Sequence, residues 1–471
     1  MIIINKLHSL PAALKASVVF LLGNIISKAL AYITTPIYTR ILSSEEYGQS
    51  AVFYSWQQIL GIVAMFNLSA GVFNNGMVDY PDKRNEYSFS MLGLSWLITS
   101  FFVVILLFFY YLGGWRWLEM PISFIILMCL TFYFQPAYKF WIAKQRYEYR
   151  YKYPLLFAII LAVGSPLVAI MCIILFPENK VNGRLWGAEG FSSVVFMFFI
   201  LYIISKSHYK LDTSYWKSAF LFNLPLLPHY LSILILASCD RIMISQLVGN
   251  QQAAYYSVAY SVALVVTIVW SAVNSSLVPY TYEKCKIREY QSISKVTLPI
   301  LSLFALICFL SCLLAPEAIR LMATDEYMEA VYIVPPVVGG VFFQVQYYIY
   351  ANIVFYYKKP QYVMFASLTS AICKILLNFL LIPLFGYMIA GVTTMICYMI
   401  QAVIDYYAMR KVVGCSIYNM RAIILLSLVV VMGAFVLWLL YPYFYIRYFL
   451  VFILFMFAVI NRKNLMKLVT I

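Results

Sequence analysis

Charge is what this chain lacks most. Only 11% of its 471 residues are Asp, Glu, Lys or Arg, where a soluble domain of this size carries about a quarter. With 64% apolar residues, the deficit places the chain in a bilayer and excludes an ordinary water-soluble globule. Histidine is scarce as well: His8, His208 and His229 give no metal triad. The nine cysteines contain no CxxC pair, which removes the common zinc and redox spacings. Cys308 and Cys312 share a helical face as small apolar packing residues. There is no Gly-Lys dipeptide, hence no phosphate loop, so an ATP motor would have to come from another chain. No stretch between apolar segments is long enough for a soluble domain. The net charge of +15 does not point to nucleic acid, because the basic residues sit between hydrophobic segments and form no single polar face.

What is present is a series of long apolar stretches. At about 20 residues per crossing they predict an all-α integral membrane protein with about 14 transmembrane helices. Strands of a closed barrel would be far shorter, and lipid leaves the backbone no other local way to satisfy its polar groups. The first stretch, residues 16–38, reads as an uncleaved helix, since no small-x-small cleavage site follows it. The second falls at 48–72, the sixth at 186–205, the seventh at 219–247, the eleventh at 361–383 and the twelfth at 387–409. The last two fall at 421–441 and 445–461. Lys139, Lys144, Arg146, Arg150 and Lys152 against Glu148 mark one loop as cytoplasmic, whereas Glu317, Asp325, Glu326 and Glu329 oppose Arg320 alone in an outer one. Both termini are therefore expected on the cytoplasmic side. Tyr47–Tyr54 and Tyr255–Tyr260 open two spans alike, which fits internal repeats. The expected organisation is two six-helix lobes, residues 1–210 and 211–411, around a central cavity, with two additional spans in 412–471.

Three cations lie inside otherwise apolar spans: Lys28, Arg241 and Lys374. A charge at that depth is costly unless it faces a partner or a wet cavity, so it reads as functional. Asp240 and Asp405 are taken as the only acids at comparable depth, which predicts a hydrated, net-positive lumen suited to an anionic passenger. Polar residues recur at helical spacing: Asn24, Lys28 and Thr35; Ser367, Ser370, Lys374 and Asn378; Thr394, Tyr398, Gln401 and Asp405. Hydrogen bonds between helices would explain the hydroxyls and amides equally well. Asp240 and Arg241 are adjacent and point about 100° apart, so they cannot pair along one face. Pro36, Pro225 and Pro228 mark bends in the first and seventh spans, either static kinks or hinges for alternating access. Tyr347, Tyr348 and Tyr350, near Gln344, Gln346 and Asn352, are candidates to stack on sugar rings.

Three segments carry a family resemblance. Ile33 through Pro36, Arg40 and Glu45 to Gly48 is similar to the end of the first helix of the bacterial oligosaccharide-lipid (Wzx-type) flippases, the polysaccharide exporters of the multidrug/oligosaccharidyl-lipid/polysaccharide superfamily. Asn223-Leu224-Pro225-Leu226, followed by Asp240-Arg241-Ile242-Met243, resembles their seventh helix. Asn378 through Pro383 to Gly386-Tyr387, then Gly391-Val392-Thr393-Thr394, resembles their junction of helices eleven and twelve. The middle spans and the last 60 residues match only in length and hydropathy. The resemblance implies a transporter, not an enzyme. It would move undecaprenyl-diphosphate-linked oligosaccharide units from the cytoplasmic to the periplasmic leaflet of the bacterial inner membrane by alternating access, for O-antigen, capsule or exopolysaccharide. Lys28, Arg40, Asp240, Arg241 and Lys374 are the implied contacts to the diphosphate or acidic sugars, with Asn24, Asn378 and Asp405 beside them. It further implies proton or sodium coupling with no bound cofactor, membrane lipid as surroundings, and a polysaccharide polymerase and chain-length regulator as partners. The alternatives are a multidrug or cation exporter of similar fold, against which the positive interior argues, and a membrane glycan polymerase or ligase, against which the short outer loops argue.

Overall fold

A computed structural model describes residues 32–460, which are helical and contain no strand. Eleven helices among them are long and apolar enough to cross a bilayer, so the expected all-α membrane class holds, whereas the count of 14 is not reached among the described residues. The chain divides into two compact units. Among the described residues, the first contains 32–42 and 49–234, and the second contains 43–48 and 235–460.

Helix α1, Ser44–Ala64, opens on a capping box. The Ser43 N–H donates to Glu46 Oε2 at 2.8 Å, and the Glu46 N–H returns to Ser43 Oγ at 3.2 Å. Its acidic first turn, Glu45 and Glu46, also favours the helix dipole. The expected span 48–72 is broken after Ala64, because Phe66 and Asn67 take positive φ (53° and 44°) before α2, Gly71–Asp79, begins. Unit 1 continues with α3 (Arg84–Phe109), α4 (Ile122–Tyr147), α5 (Lys152–Leu175), α6 (Lys180–Ser207) and α7 (Ser214–Asn223). Its core is aromatic: Phe73 stacks on Phe140 at 4.6 Å and Trp141 meets Phe199 at 4.5 Å. Helices α5 and α6 touch through a small-residue seam. A Cβ on Gly187 would lie 2.7 Å from the Ala169 Cα, and one on Gly183 2.9 Å from the Cys172 carbonyl oxygen, so only glycine permits that approach. Helix α7 is tied to α3, where Trp216 Nε1 donates to the Ser90 carbonyl at 2.8 Å.

A 3₁₀ turn, Leu224–Leu226, containing Pro225 separates α7 from α8 (Leu227–Leu247), and Pro228 sits in the first turn of α8. The unit boundary falls inside α8, between residues 234 and 235, rather than at 210/211. Unit 2 then comprises α9 (Asn250–Lys286), α10 (Tyr290–Leu313), α11 (Ala315–Met322), α12 (Val334–Tyr356), α13 (Pro360–Phe385), α14 (Ile389–Val413), α15 (Met420–Leu440) and α16 (Phe444–Ile460). Helix α12 is its heart: the most buried of the apolar spans, it packs against α9, α10, α14 and α15. The final pair, α15 and α16, docks on α10 and α12 and so belongs to this unit.

Candidate functional site

The polar rows foreseen on α13 and α14 both face the interior of unit 2. Ser367, Ser370, Lys374 and Asn378 are fully buried, as are Thr393, Thr394 and Asp405. At the centre, Lys374 Nζ lies 2.7 Å from Asp240 Oδ2. Its other two protons reach the Leu236 carbonyl at 2.6 Å and Thr394 Oγ1 at 2.9 Å, so all three ammonium donors are engaged. Asp240 is equally saturated: the Tyr256 hydroxyl donates to Oδ2 at 2.6 Å and Asn378 Nδ2 to Oδ1 at 2.8 Å. Thr393 closes the ring by donating to Asn378 Oδ1. Four helices, α8, α9, α13 and α14, meet in this one network.

This arrangement departs from the expectation of a free positive charge. Lys374 is neutralised one-for-one by Asp240 and has no exposed surface, because a buried ammonium without a counter-ion would cost several kcal/mol. Its contacts join α13 to α8 and α14. Arg241 behaves otherwise. The next residue on α8 turns toward α9, where Nε donates to Ser257 Oγ at 3.2 Å and Nη1 to the Ala237 carbonyl at 3.0 Å. Its guanidinium lies 4.6 Å from the Tyr260 ring centroid, a cation–π contact. No carboxylate among the described residues forms an ion pair with it, and its side chain is only partly buried.

The remaining candidates are dispersed. Lys28 and Asn24 lie outside the described residues. Arg40 is exposed, with Nη1 donating to the Pro36 carbonyl at 2.8 Å. Asp405 is fully buried and neither carboxyl oxygen has a hydrogen-bond partner, as is true of both side-chain heteroatoms of Gln401 one turn earlier. Tyr347 stacks on Tyr348 at 4.3 Å and on Tyr398 at 6.3 Å, and Tyr350 meets Tyr406 and Tyr418. These rings pack on one another, Tyr348 stays half-buried, and Tyr350 and Tyr406 also line a cavity with Gln346 and Arg410.

Two ionisable residues of unit 1 escaped the sequence reading. The sixth span was expected to start at residue 186, which put Arg184 in an outer loop; α6 starts at Lys180, so Arg184 is buried inside it and covers the Tyr38 ring at 4.2 Å. Glu189 is then well inside the same helix, and its Oε2 accepts from Gln57 Nε2 at 3.1 Å. Asp240 and Asp405 are therefore not the only acids at depth. The Gly183-x-x-x-Gly187 spacing was the signal that this segment packs as helix.

Comparison with known proteins agrees with this architecture. The profile described as "Polysaccharide biosynthesis protein" matches residues 13–284. The Haemophilus influenzae protein "Lsg locus putative protein 1" is 20% identical over 365 residues, covering 76% of this chain and 88% of that one. Among solved structures, the lipid II flippase MurJ in an inward closed conformation superposes with a TM-score of 0.70 at 14% identity, over 95% of this chain and 99% of that one. A multidrug resistance MATE family transporter of the MOP superfamily, in its inward-facing conformation, gives 0.62 at 12% identity, over 82% of this chain and 95% of that one. Both structural likenesses establish the fold. With the profile covering more than half of its length, the chain belongs to the polysaccharide biosynthesis protein family.

Proposed function

We propose that this chain is a flippase that carries a lipid-linked, diphosphate-bearing oligosaccharide from the cytoplasmic to the periplasmic leaflet of a bacterial inner membrane by alternating access. Membership of the polysaccharide biosynthesis family and a fold shared with a lipid II flippase support a glycolipid passenger. The observation that carries the anionic part of the reading is Arg241. It is a partly exposed guanidinium within an apolar span, held over Tyr260 and not spent on a carboxylate among the described residues. A guanidinium presents a planar fork that matches phosphate oxygens, and in a low-dielectric setting that match is strong. The Asp240–Lys374 network behind it holds α8, α13 and α14 in register so that Arg241 keeps its aim. No bond in the passenger needs to be made or broken, so the chain acts as a transporter.

The test is complementation of a deletion strain. Wild-type chain restores surface polysaccharide. Arg241→Ala abolishes it and lets the lipid-linked precursor accumulate while the protein remains in the membrane, and Arg241→Lys retains part of the activity. Unchanged surface polysaccharide in the deletion strain itself, or a change confined to drug sensitivity, refutes the glycolipid reading.

A further inference from the structure

Glu189 lies well inside a membrane-spanning helix of unit 1, and its hydrogen-bond partners among the described residues are neutral. It sits ten residues into α6, about 14 Å from the helix start at 1.5 Å per residue. Gln57 of α1 donates to its Oε2 at 3.1 Å, and Thr131 Oγ1 of α4 lies 3.2 Å from the same oxygen. No Lys or Arg among the described residues forms an ion pair with it.

The Thr131 hydroxyl makes the arrangement informative. It has one proton to give and also lies 3.0 Å from the Leu127 carbonyl one turn back. If Glu189 is ionised, the two acceptors compete for that proton. If Glu189 is protonated, Thr131 donates to Leu127 while accepting from the carboxyl, and the Gln57 amide still donates to the same carboxyl oxygen. Protonation therefore reverses the hydrogen bond between α6 and α4 and ends the competition for the Thr131 proton, while the Gln57 amide of α1 serves both charge states. The charged and titratable groups that share this pocket are Tyr54 of α1, Arg184 of α6 and Tyr38. Cys129 and Tyr133, two residues either side of Thr131, point to the opposite face of α4. The titratable groups of α3 (Arg84, Glu86, Tyr87) and of α5 (Lys152, Tyr153, Cys172) lie in their terminal turns.

We propose that Glu189, with Gln57 and Thr131, is a proton-binding site whose occupancy drives the transport cycle: the carboxylate takes up one proton to become the acid and releases it again in each turnover. This names the coupling ion for the flippase reading above and rests on that reading. In contrast to Glu189, Asp240 is locked to Lys374 and cannot exchange a proton without stranding the ammonium.

Two readouts test it on the full-length protein. In purified wild type, a pH titration followed by infrared difference spectroscopy shows the protonated-carboxyl stretch, and Glu189→Gln loses one component of that band. Gln57→Leu, which removes a donor that favours the carboxylate, moves the component to higher pH, a shift that a merely structural role would not produce. In the complementation assay, Glu189→Gln abolishes surface polysaccharide and Glu189→Asp retains it. A band unchanged in Glu189→Gln, or a full polysaccharide level in that variant, overturns the proposal. If wild type titrates as described but fails to restore polysaccharide, the flippase reading falls and the proton site stands.

Discussion

Lys374 shows how much one residue's chemistry depends on a neighbour that sequence cannot place. An ammonium in an apolar span signals either a substrate contact or a buried pair, and only coordinates reveal Asp240 at 2.7 Å with every other donor occupied. The two alternatives differ energetically. Removing one partner of a buried pair strands the other charge at a cost of about 3–5 kcal/mol, whereas replacing both by apolar groups is often near neutral. Lys374→Met and Asp240→Asn should therefore each lower the thermal unfolding midpoint in detergent sharply. The double variant should recover most of the loss. Additive losses would mean that the pair is not coupled and that Lys374 faces something else. The polar rows themselves were legible, since helical spacing alone put Ser367, Ser370, Lys374 and Asn378 on one buried face. Glu189 was not, because a hydropathy window that avoids Gly183-Arg184 starts the helix too late.

At the scale of elements, the apolar pattern located the C-terminal pair closely: spans expected at 421–441 and 445–461 appear as Met420–Leu440 and Phe444–Ile460. What hydropathy could not show is the fastening. Arg447 of α16 grips Glu317 of α11 with both arms, Nη2 to Oε1 at 2.9 Å and Nη1 to Oε2 at 3.0 Å, while Nη1 also reaches the Leu313 carbonyl at 2.7 Å. Partial burial pushes the Glu317 carboxyl up, but the hydrogen bonds and charge of Arg447 outweigh it and leave the group below its ordinary value. A carboxyl lowered by folding stabilises the folded state in full above the ordinary Glu value of about 4.3, and that contribution fades as pH falls through the folded value. The unfolding midpoint of wild type should thus drop with acid across that window more steeply than that of Arg447→Leu, measured by detergent-solubilised thermal melts. Parallel slopes for the two proteins would show that the bidentate contact contributes no pH dependence.

For the molecule as a whole, chain order and compact units do not coincide. An even division at 210/211 follows from counting spans, since hydropathy says nothing about which bundle a helix joins. Residues 211–234 stay with unit 1 because their contacts are there: the Asp212 N–H donates to Ser90 Oγ at 2.8 Å, and Asn223 Nδ2 to the Phe66 carbonyl at 3.0 Å. The reverse holds for Ser43–Gly48, which leaves unit 1 for six residues and packs with unit 2. Asn250 Nδ2 donates to Glu45 Oε1 at 2.8 Å, Ser44 Oγ donates to Glu326, and the Tyr47 ring meets Tyr327 edge-on at 6.3 Å. Gly48 makes the fit possible, since a Cβ there would stand 1.9 Å from the Asn250 carbonyl oxygen, against backbone that cannot give way. This is the segment in which the family resemblance was first legible, and its Glu45, Tyr47 and Gly48 now have a packing reason. Gly48→Val should expel the segment from its seat on α9 and expose the Glu45 and Glu46 peptide bonds. A glutamate-specific protease should then cut the variant there faster than wild type under native conditions, with unit 2 otherwise intact. Equal cleavage rates would mean that the close approach to Asn250 does not hold this segment in place.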